Sequence, residues 1–222
     1  MLCAKVLGQI VNGNSTYVPV IYSCSPIIFH LNVLLDEPNF LPNIFSLLHQ
    51  TKTSFKIDAL FVISGVTINK EMIEIIVKNS DYFNLLLDKA TNDIPEVIIL
   101  NQNNYLPKIQ RKACLVFINI IQQTSPEKLL LLVQKGILKC SAKLLDSQDP
   151  KSIEVSLAGI DNILKYGKQY VKSNNLAENP FLEELENVNG IEGLKKLQDH
   201  PNRNIKRSAR NILQKLNVNL LI

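Results

Sequence analysis

The feature that most constrains this chain is a helical unit that cannot bury its own apolar face. From Arg111 to Ile121 the sequence RKACLVFINII reads as an apolar helix, and Ser125-Pro126-Glu127 opens a second one over Lys128 to Lys135. Gly136 breaks that helix, Ile137 to Leu145 resumes, and Asp149-Pro150 starts a longer helix expected to stop at Gly167. Within the long helix Leu157, Ile160, Ile163 and Leu164 share one face. A single helix leaves such a face open, so neighbouring units must stack on it.

The same closing helix recurs. Equivalent positions fall at Gln9, Ser64, Asn119 and Asn162, and a weaker copy runs from Ile205 to Leu216. The tightest interval is close to the ~40–47 residues of an armadillo repeat. The longer intervals contain Asp36 to Pro42, Ala90 to Pro107 and Lys168 to Pro180, segments with Pro or clustered Asn that read as inserted loops. The expected fold is therefore all-α, a right-handed armadillo-repeat solenoid over residues 1–222 with about four and a half repeats, beginning inside a repeat. Residues 168–180 are expected to form the loop before the last repeat. Leu2, Val6, Leu7 and Ile10 are candidates for an open apolar face at the start. The last helix places Arg203, Lys206, Arg207 and Arg210 on one face, read first as a solvated stripe and second as a surface for an acidic partner.

Composition removes several function classes. Across 222 residues, 46% hydrophobic content supplies a core, and a dispersed net charge of +4 does not indicate nucleic acid. Cys3, Cys24, Cys114 and Cys140 have neither CxxC spacing nor a nearby His, so buried thiols in a reducing compartment are expected, with no metal and no cofactor. The N-terminus lacks the pattern of a signal peptide, and no apolar run reaches the ~18 residues of a membrane span. His30, His49 and His200 are scattered, with no nucleophile elbow and no HExxH helix, so no enzyme chemistry is expected.

From Lys112 to Gly167 the sequence resembles the C-terminal armadillo repeats of importin α. KACLVFINI is similar to that family's K-E-A-x-W-x-x-S-N helix, SPEK to its T-P-E-Q, and VSLAGIDNIL to its V-A-L-D-G-L-E-N-I-L. A second series, Asn179-Pro180-Phe181, Glu183-Glu184, Gly190-Ile191 and Leu197-Gln198-Asp199-His200, resembles the final repeat, and Ala4 to Asn14 resembles A-L-R-A-V-G-N-I-V-T-G. The weakest agreement lies between Tyr17 and Gln110.

The resemblance implies a groove in which Asn side chains hydrogen-bond an extended basic peptide, Trp rings flank its Lys and Arg stems, and acids complete the pockets. Here Asn119 stands at an Asn position but Leu115 at its Trp, and Lys112 at an acid. Leu60 and Ser64 are aligned with the Trp and Asn of the preceding repeat, and Lys5 and Gln9 with the Arg and Asn of the first. Ser15 falls about where an acid follows V-T-G. This degenerate groove is expected to bind an ordinary nuclear-localisation signal weakly or not at all. Asn119 has two readings at this stage, a peptide contact or a local cap on its own helix.

The partners implied by resemblance are a CAS-type exportin and nucleoporins at the last repeat, with residence in cytoplasm and nucleus and no nucleic-acid or membrane partner. The alternative is a divergent armadillo scaffold that binds an unrelated acidic or neutral peptide or protein; a third is a degenerate copy without activity of its own.

Overall fold

The computed structural model describes residues 38–91, 106–177 and 179–217. Their contacts divide the chain into two compact units, Met1–Leu86 and Leu87–Ile222. The expected Lys5, Gln9 and Ser15 positions, the open face at Leu2, Val6, Leu7 and Ile10, and the thiols Cys3 and Cys24 lie outside the described residues.

In the first unit, α1 (Phe40–Ser46) buries Phe40, Leu41, Ile44 and Phe45 and runs into a 3-10 turn, Leu47–His49. Part of the segment expected as an inserted loop, Asp36 to Pro42, is thus helical. Pro42 sits within the first turn, where a missing amide hydrogen costs no intrahelical bond. Helix α2 (Thr53–Val66) packs on α1 and on the turn. It is followed by α3 (Lys70–Lys78), whose first turn is capped by the Asn69 side chain accepting from the amides of Glu71 (2.8 Å) and Met72 (3.2 Å). Asn79 caps α4 (Ser80–Thr91) in the same manner, accepting from Asp81 and Tyr82 amides at 3.0 and 3.1 Å. The Tyr82 ring then stacks on Phe45 with centroids 4.0 Å apart.

The second unit contains the expected three-helix grammar. Helix α5 (Leu106–Gln123) is followed by α6 (Pro126–Gln134), α7 (Ile137–Leu144) and α8 (Pro150–Asn174). Pro126 and Pro150 open their helices at the position where proline's fixed φ is already helical. Gly136 makes the corner between α6 and α7 with φ 102°, a conformation that a side chain disfavours. The order repeats in α9 (Pro180–Asn187), α10 (Gly190–Lys196), a 3-10 turn at Leu197–Asp199, and α11 (Arg203–Asn217). There the corner is Asn189, also left-handed at φ 58°. Helix α8 is the hub, packing on α5, α6, α7, α9 and α11.

One expectation fails in an instructive way. Helix α8 does not stop at Gly167 but continues to Asn174, where Asn175 in the left-handed conformation ends it, so most of 168–180 is helix rather than loop. Gly167 has a packing role instead. A Cβ built there would lie 2.8 Å from Cδ2 of the fully buried Phe181, and 3.2 Å from the Asn179 oxygen that caps α9. The glycine lets the last repeat seat against α8.

Close approach also governs the α5/α7/α8 contact. A Cβ on Gly159 would stand 2.9 Å from the Ser141 hydroxyl and 3.5 Å from Ile118. Beside it the buried Ser156 hydroxyl donates to the Ser141 carbonyl at 2.5 Å, satisfying a polar group that burial alone would penalise. Cys114 and Cys140 are buried free thiols, in line with the sequence reading of these two. Burial pushes the Cys140 thiol up to about 12 and raises Cys114 well above the ordinary thiol value.

Candidate peptide-binding site

The closing helices α2, α5, α8 and α11 share one burial pattern, which fixes their register. Ala59, Ala113, Ser156 and Ala209 occupy one rung and are all fully buried. The next rungs continue in step: Val62, Val116, Gly159 and Ile212, then Ile63, Phe117, Ile160 and Leu213. A small residue at the first of these rungs lets the neighbouring helix approach closely.

This register corrects the sequence alignment of α2 by one residue. Leu60 is 0% exposed and belongs to the core, so it does not line a groove. The half-buried residue at the rung of Leu115 is Phe61, and the rung of Asn119 is Gly65, not Ser64. Ser64 turns inward along its own helix, its hydroxyl donating to the Phe61 carbonyl at 2.7 Å. Asp58, half-buried, stands at the rung of Lys112. An aromatic ring and an acid thus occur on α2, and alternation within the run ALFVISG concealed them.

In the second unit Lys112 and Leu115 line a cleft, whereas Asn119 is not among its lining residues. Arg111, Lys112, Leu115 and Ile118 of α5 oppose Lys151, Glu154, Val155 and Ala158 of α8 around an open cleft of about 390 Å³. Leu115 and Ala158 replace any aromatic shelf on the two walls. Asn119 and Asn162 lie at the same rung of the two helices and are both half-buried. The repeat alignment already paired Asn162 with Asn119, and the burial register agrees with that pairing.

The electrostatics of this cleft are set at the N-terminus of α8. The Asp149 side chain caps that helix, accepting from the Ser152 amide at 3.2 Å and the Ser152 hydroxyl at 2.7 Å. It also forms an ion pair with Arg111 of α5, which ties the two walls together. Burial alone would raise the Asp149 carboxyl, but the Ser152 hydrogen bonds and the Arg111 charge prevail and hold it below the usual carboxylate range. The Lys112 pKa is also lowered, by burial first and by the adjacent Arg111 second, which for an amine disfavours the charged form. Neither the Arg111 pair nor the position of Lys151 could be found in sequence, because the partners are remote along the chain.

A second cleft of about 460 Å³ lies between α8 and α11, lined by Glu154, Asp161, Asn204, Ser208, Asn211 and Lys215 among others. Lys215 pairs with Asp161 across it. The basic stripe of α11 is partly neutralised, since Lys206 and Arg210 lie 3.7 and 3.6 Å from the Asp199 carboxylate, while Arg203 and Arg207 are exposed. Among the described residues no cluster of His, Cys, Asp and Glu is placed to hold a metal, and no helix is long and apolar enough to cross a membrane.

No protein-family model matches the chain. Over 91 residues, 40% of this chain, it is 34% identical to importin subunit alpha-2 of Arabidopsis thaliana. Over 125 residues, 56% of this chain, it is 34% identical to importin subunit alpha-8 of Mus musculus. The matched stretches span 17% and 24% of those relatives. Among solved structures, a computationally designed armadillo repeat protein for modular peptide recognition superposes with a TM-score of 0.64 at 21% identity, over 83% of this chain and 67% of its own. A designed armadillo repeat protein in complex with the peptide (KR)4 gives 0.56 at 18% identity, over 94% of this chain and 98% of its own. Stacked three-helix units with a common burial register, together with these structural neighbours, show an all-α armadillo-repeat solenoid fold, and part of the chain is similar in sequence to importin α subunits.

Proposed function

We propose that the chain is a protein-binding scaffold of nuclear transport, derived from the C-terminal half of an importin α, acting through its last repeat and not by carrying ordinary basic cargo in the α5/α8 cleft. The observation that carries this reading is the composition of that cleft. Lys112 stands where attraction for a cargo lysine is needed, and Leu115 and Ala158 offer no ring to flank an alkylammonium stem. A designed armadillo protein of similar fold holds a lysine-arginine peptide; a peptide of that charge in the α5/α8 cleft would meet Arg111, Lys112 and Lys151.

The last repeat supports the other half of the reading. Asn179 caps α9 and Asn202 caps α11, and Phe181 packs the repeat onto α8. The partners are a CAS-type exportin with its nucleotide-loaded GTPase, and nucleoporins; the chain works by binding, without catalysis, in cytoplasm and nucleus. The divergent-scaffold alternative is favoured by the same loss of the aromatic shelf, and one experiment separates the two. Purified chain is mixed with the exportin and GTP-loaded GTPase and followed by size-exclusion chromatography with light scattering. A complex that dissociates when GTP is replaced by GDP is the expected result, and no complex at micromolar concentrations would exclude the transport reading.

A further inference from the structure

We propose that Ser125 is a phosphorylation site for a proline-directed serine/threonine protein kinase. The proposal goes beyond the transport reading and does not depend on which partner the last repeat binds.

The local sequence is Thr124-Ser125-Pro126-Glu127-Lys128. Ser-Pro occurs twice in the chain, at Ser25 and Ser125, and Thr-Pro does not occur. Only Ser125 has a basic residue three positions on, where Ser25 has Ile28. Proline after the serine suits an active site that offers no acceptor for the following amide, because proline alone has no N–H left to satisfy. Lysine at the third position adds attraction for an acidic kinase cleft.

The structure leaves this serine available. Ser125 stands immediately before α6 and is exposed, yet its side chain accepts no amide hydrogen from that helix. Its backbone, at φ −71° and ψ 155°, is extended, as a following proline favours and as a kinase cleft receives its substrate. The adjacent hydroxyl differs: Thr124 donates to the Ile120 carbonyl at 2.6 Å, and serine rather than proline follows it. The Glu127 carboxylate, fully exposed, is held below the usual carboxylate range by its own amide first and the Ser125 hydroxyl second. That contact lies in water and yields readily to a kinase.

Access continues along the chain. From Gln122 to Lys128 no residue is buried, whereas Ile121 and Leu129 on either side are. The first turn of α6 can therefore open as far as Lys128 without taking an apolar side chain out of the core. The hydrogen bonds given up, among them the Leu129 amide to the Ser125 carbonyl at 2.9 Å, lie at a helix end, where opening costs least. Lys128 is exposed but has an interaction of its own, so its share in recognition is graded and not essential.

In the transfer the Ser125 oxygen attacks the γ-phosphorus of Mg-ATP. A new O–P bond forms as the bond to the β,γ-bridging oxygen breaks, ADP leaves with that electron pair, and the hydroxyl proton passes to the kinase's carboxylate base. The product adds a charge of about −1.5 to −2 at the N-terminus of α6, the end where the helix dipole favours an anion.

The test incubates the folded full chain with a cyclin-dependent kinase and Mg-ATP. Intact-mass spectrometry reads phosphoryl incorporation and fragmentation locates it. One phosphoryl group on Ser125 is the expected result, lost in Ser125→Ala and kept in Ser25→Ala and Thr124→Ala. Pro126→Ala should lower kcat/KM by at least about tenfold, and Lys128→Ala by a smaller factor. Since Ser125 makes no side-chain cap, circular dichroism of Ser125→Ala should match the wild type. A synthetic peptide of residues 119–131 supplies the unfolded reference, and kcat/KM of the folded chain should fall within about a hundredfold of it.

No incorporation, incorporation undiminished by Ser125→Ala, or a deficit against the peptide larger than that overturns the proposal. So does a Pro126→Ala chain modified as fast as the wild type. The exportin assay shares no readout with this one, so either reading can fail alone.

Discussion

Replacing Gly167 by alanine should destabilise the second unit even though alanine is the better helix former. In a helix interior the exchange alone favours folding by about 0.5–1 kcal/mol. The added Cβ, however, would lie 2.8 Å from Cδ2 and 3.0 Å from Cγ of Phe181. That ring is fully buried and has Tyr170 edge-on at 5.9 Å, so it cannot swing into solvent to make room. The Asn179 oxygen at 3.2 Å is held by the Phe181 amide it accepts from, so relief by moving α9 would strain its cap as well. Overpacking of this kind costs about 1–3 kcal/mol, which outweighs the propensity gain and leaves a net loss of about 1–2 kcal/mol.

Thermal unfolding followed by circular dichroism should show Tm lowered by about 2–8 °C. The cause is checked by a double-mutant cycle with Phe181→Leu. In the leucine background the clash is gone, and Gly167→Ala should become stabilising by about 0.5–1 kcal/mol. If Gly167→Ala raises stability in the wild-type background, or if its effect is the same in both, the packing account of this glycine is wrong.

Other consequences are equally specific. Asp149→Ala removes the α8 cap and the Arg111 partner and should cost about 1–3 kcal/mol in urea unfolding at pH 7. The folded pKa of Asp149 is depressed, so its contribution is present above the unfolded value near 3.9 and is lost as pH falls through the folded value. The wild-type and Asp149→Ala stabilities should therefore converge on acidification, and a constant gap down to strong acid would contradict this. Leu60→Ala should cost about 2–5 kcal/mol and Phe61→Ala distinctly less, since only Leu60 is enclosed; the reverse order would restore the original alignment of α2. With Cys3 and Cys24 changed to serine, Cys114 and Cys140 should resist a thiol reagent until denaturant is added, because both are buried and protonated at neutral pH. Prompt modification of the native chain would show that one of them is accessible.

The sequence made the architecture of the second unit legible because local signals and periodicity agreed there. Pro126, Gly136 and Asp149-Pro150 each mark a helix boundary by their own stereochemistry, and the structure places boundaries at all three. Gly167 misled because glycine has two uses, helix termination and close approach, and only Phe181, on the next helix, shows which applies. Asp36 to Pro42 misled for a related reason, since a proline in a first turn and a proline in a loop look alike in sequence. In α2 the run ALFVIS has apolar residues on every side, so periodicity could not tell the buried Leu60 from the half-buried Phe61.

The site was legible in part. Lys112, Leu115 and Asn119 are the positions the resemblance pointed to; all three are half-buried on α5, and Lys112 and Leu115 line the cleft while Asn119 does not. The opposite wall, with Lys151, Val155 and Ala158, required knowing how α8 packs on α5. The Arg111 and Asp149 pair likewise joins residues that no local pattern connects.

The most direct test of the account is calorimetric titration of the purified chain with a bipartite basic nuclear-localisation peptide at physiological salt. The cationic rim and the absence of an aromatic shelf in the α5/α8 cleft predict no binding tighter than about 100 μM. Micromolar affinity that is lost on Asn119→Ala would contradict it, showing that the groove still takes basic cargo despite Lys112 and Leu115.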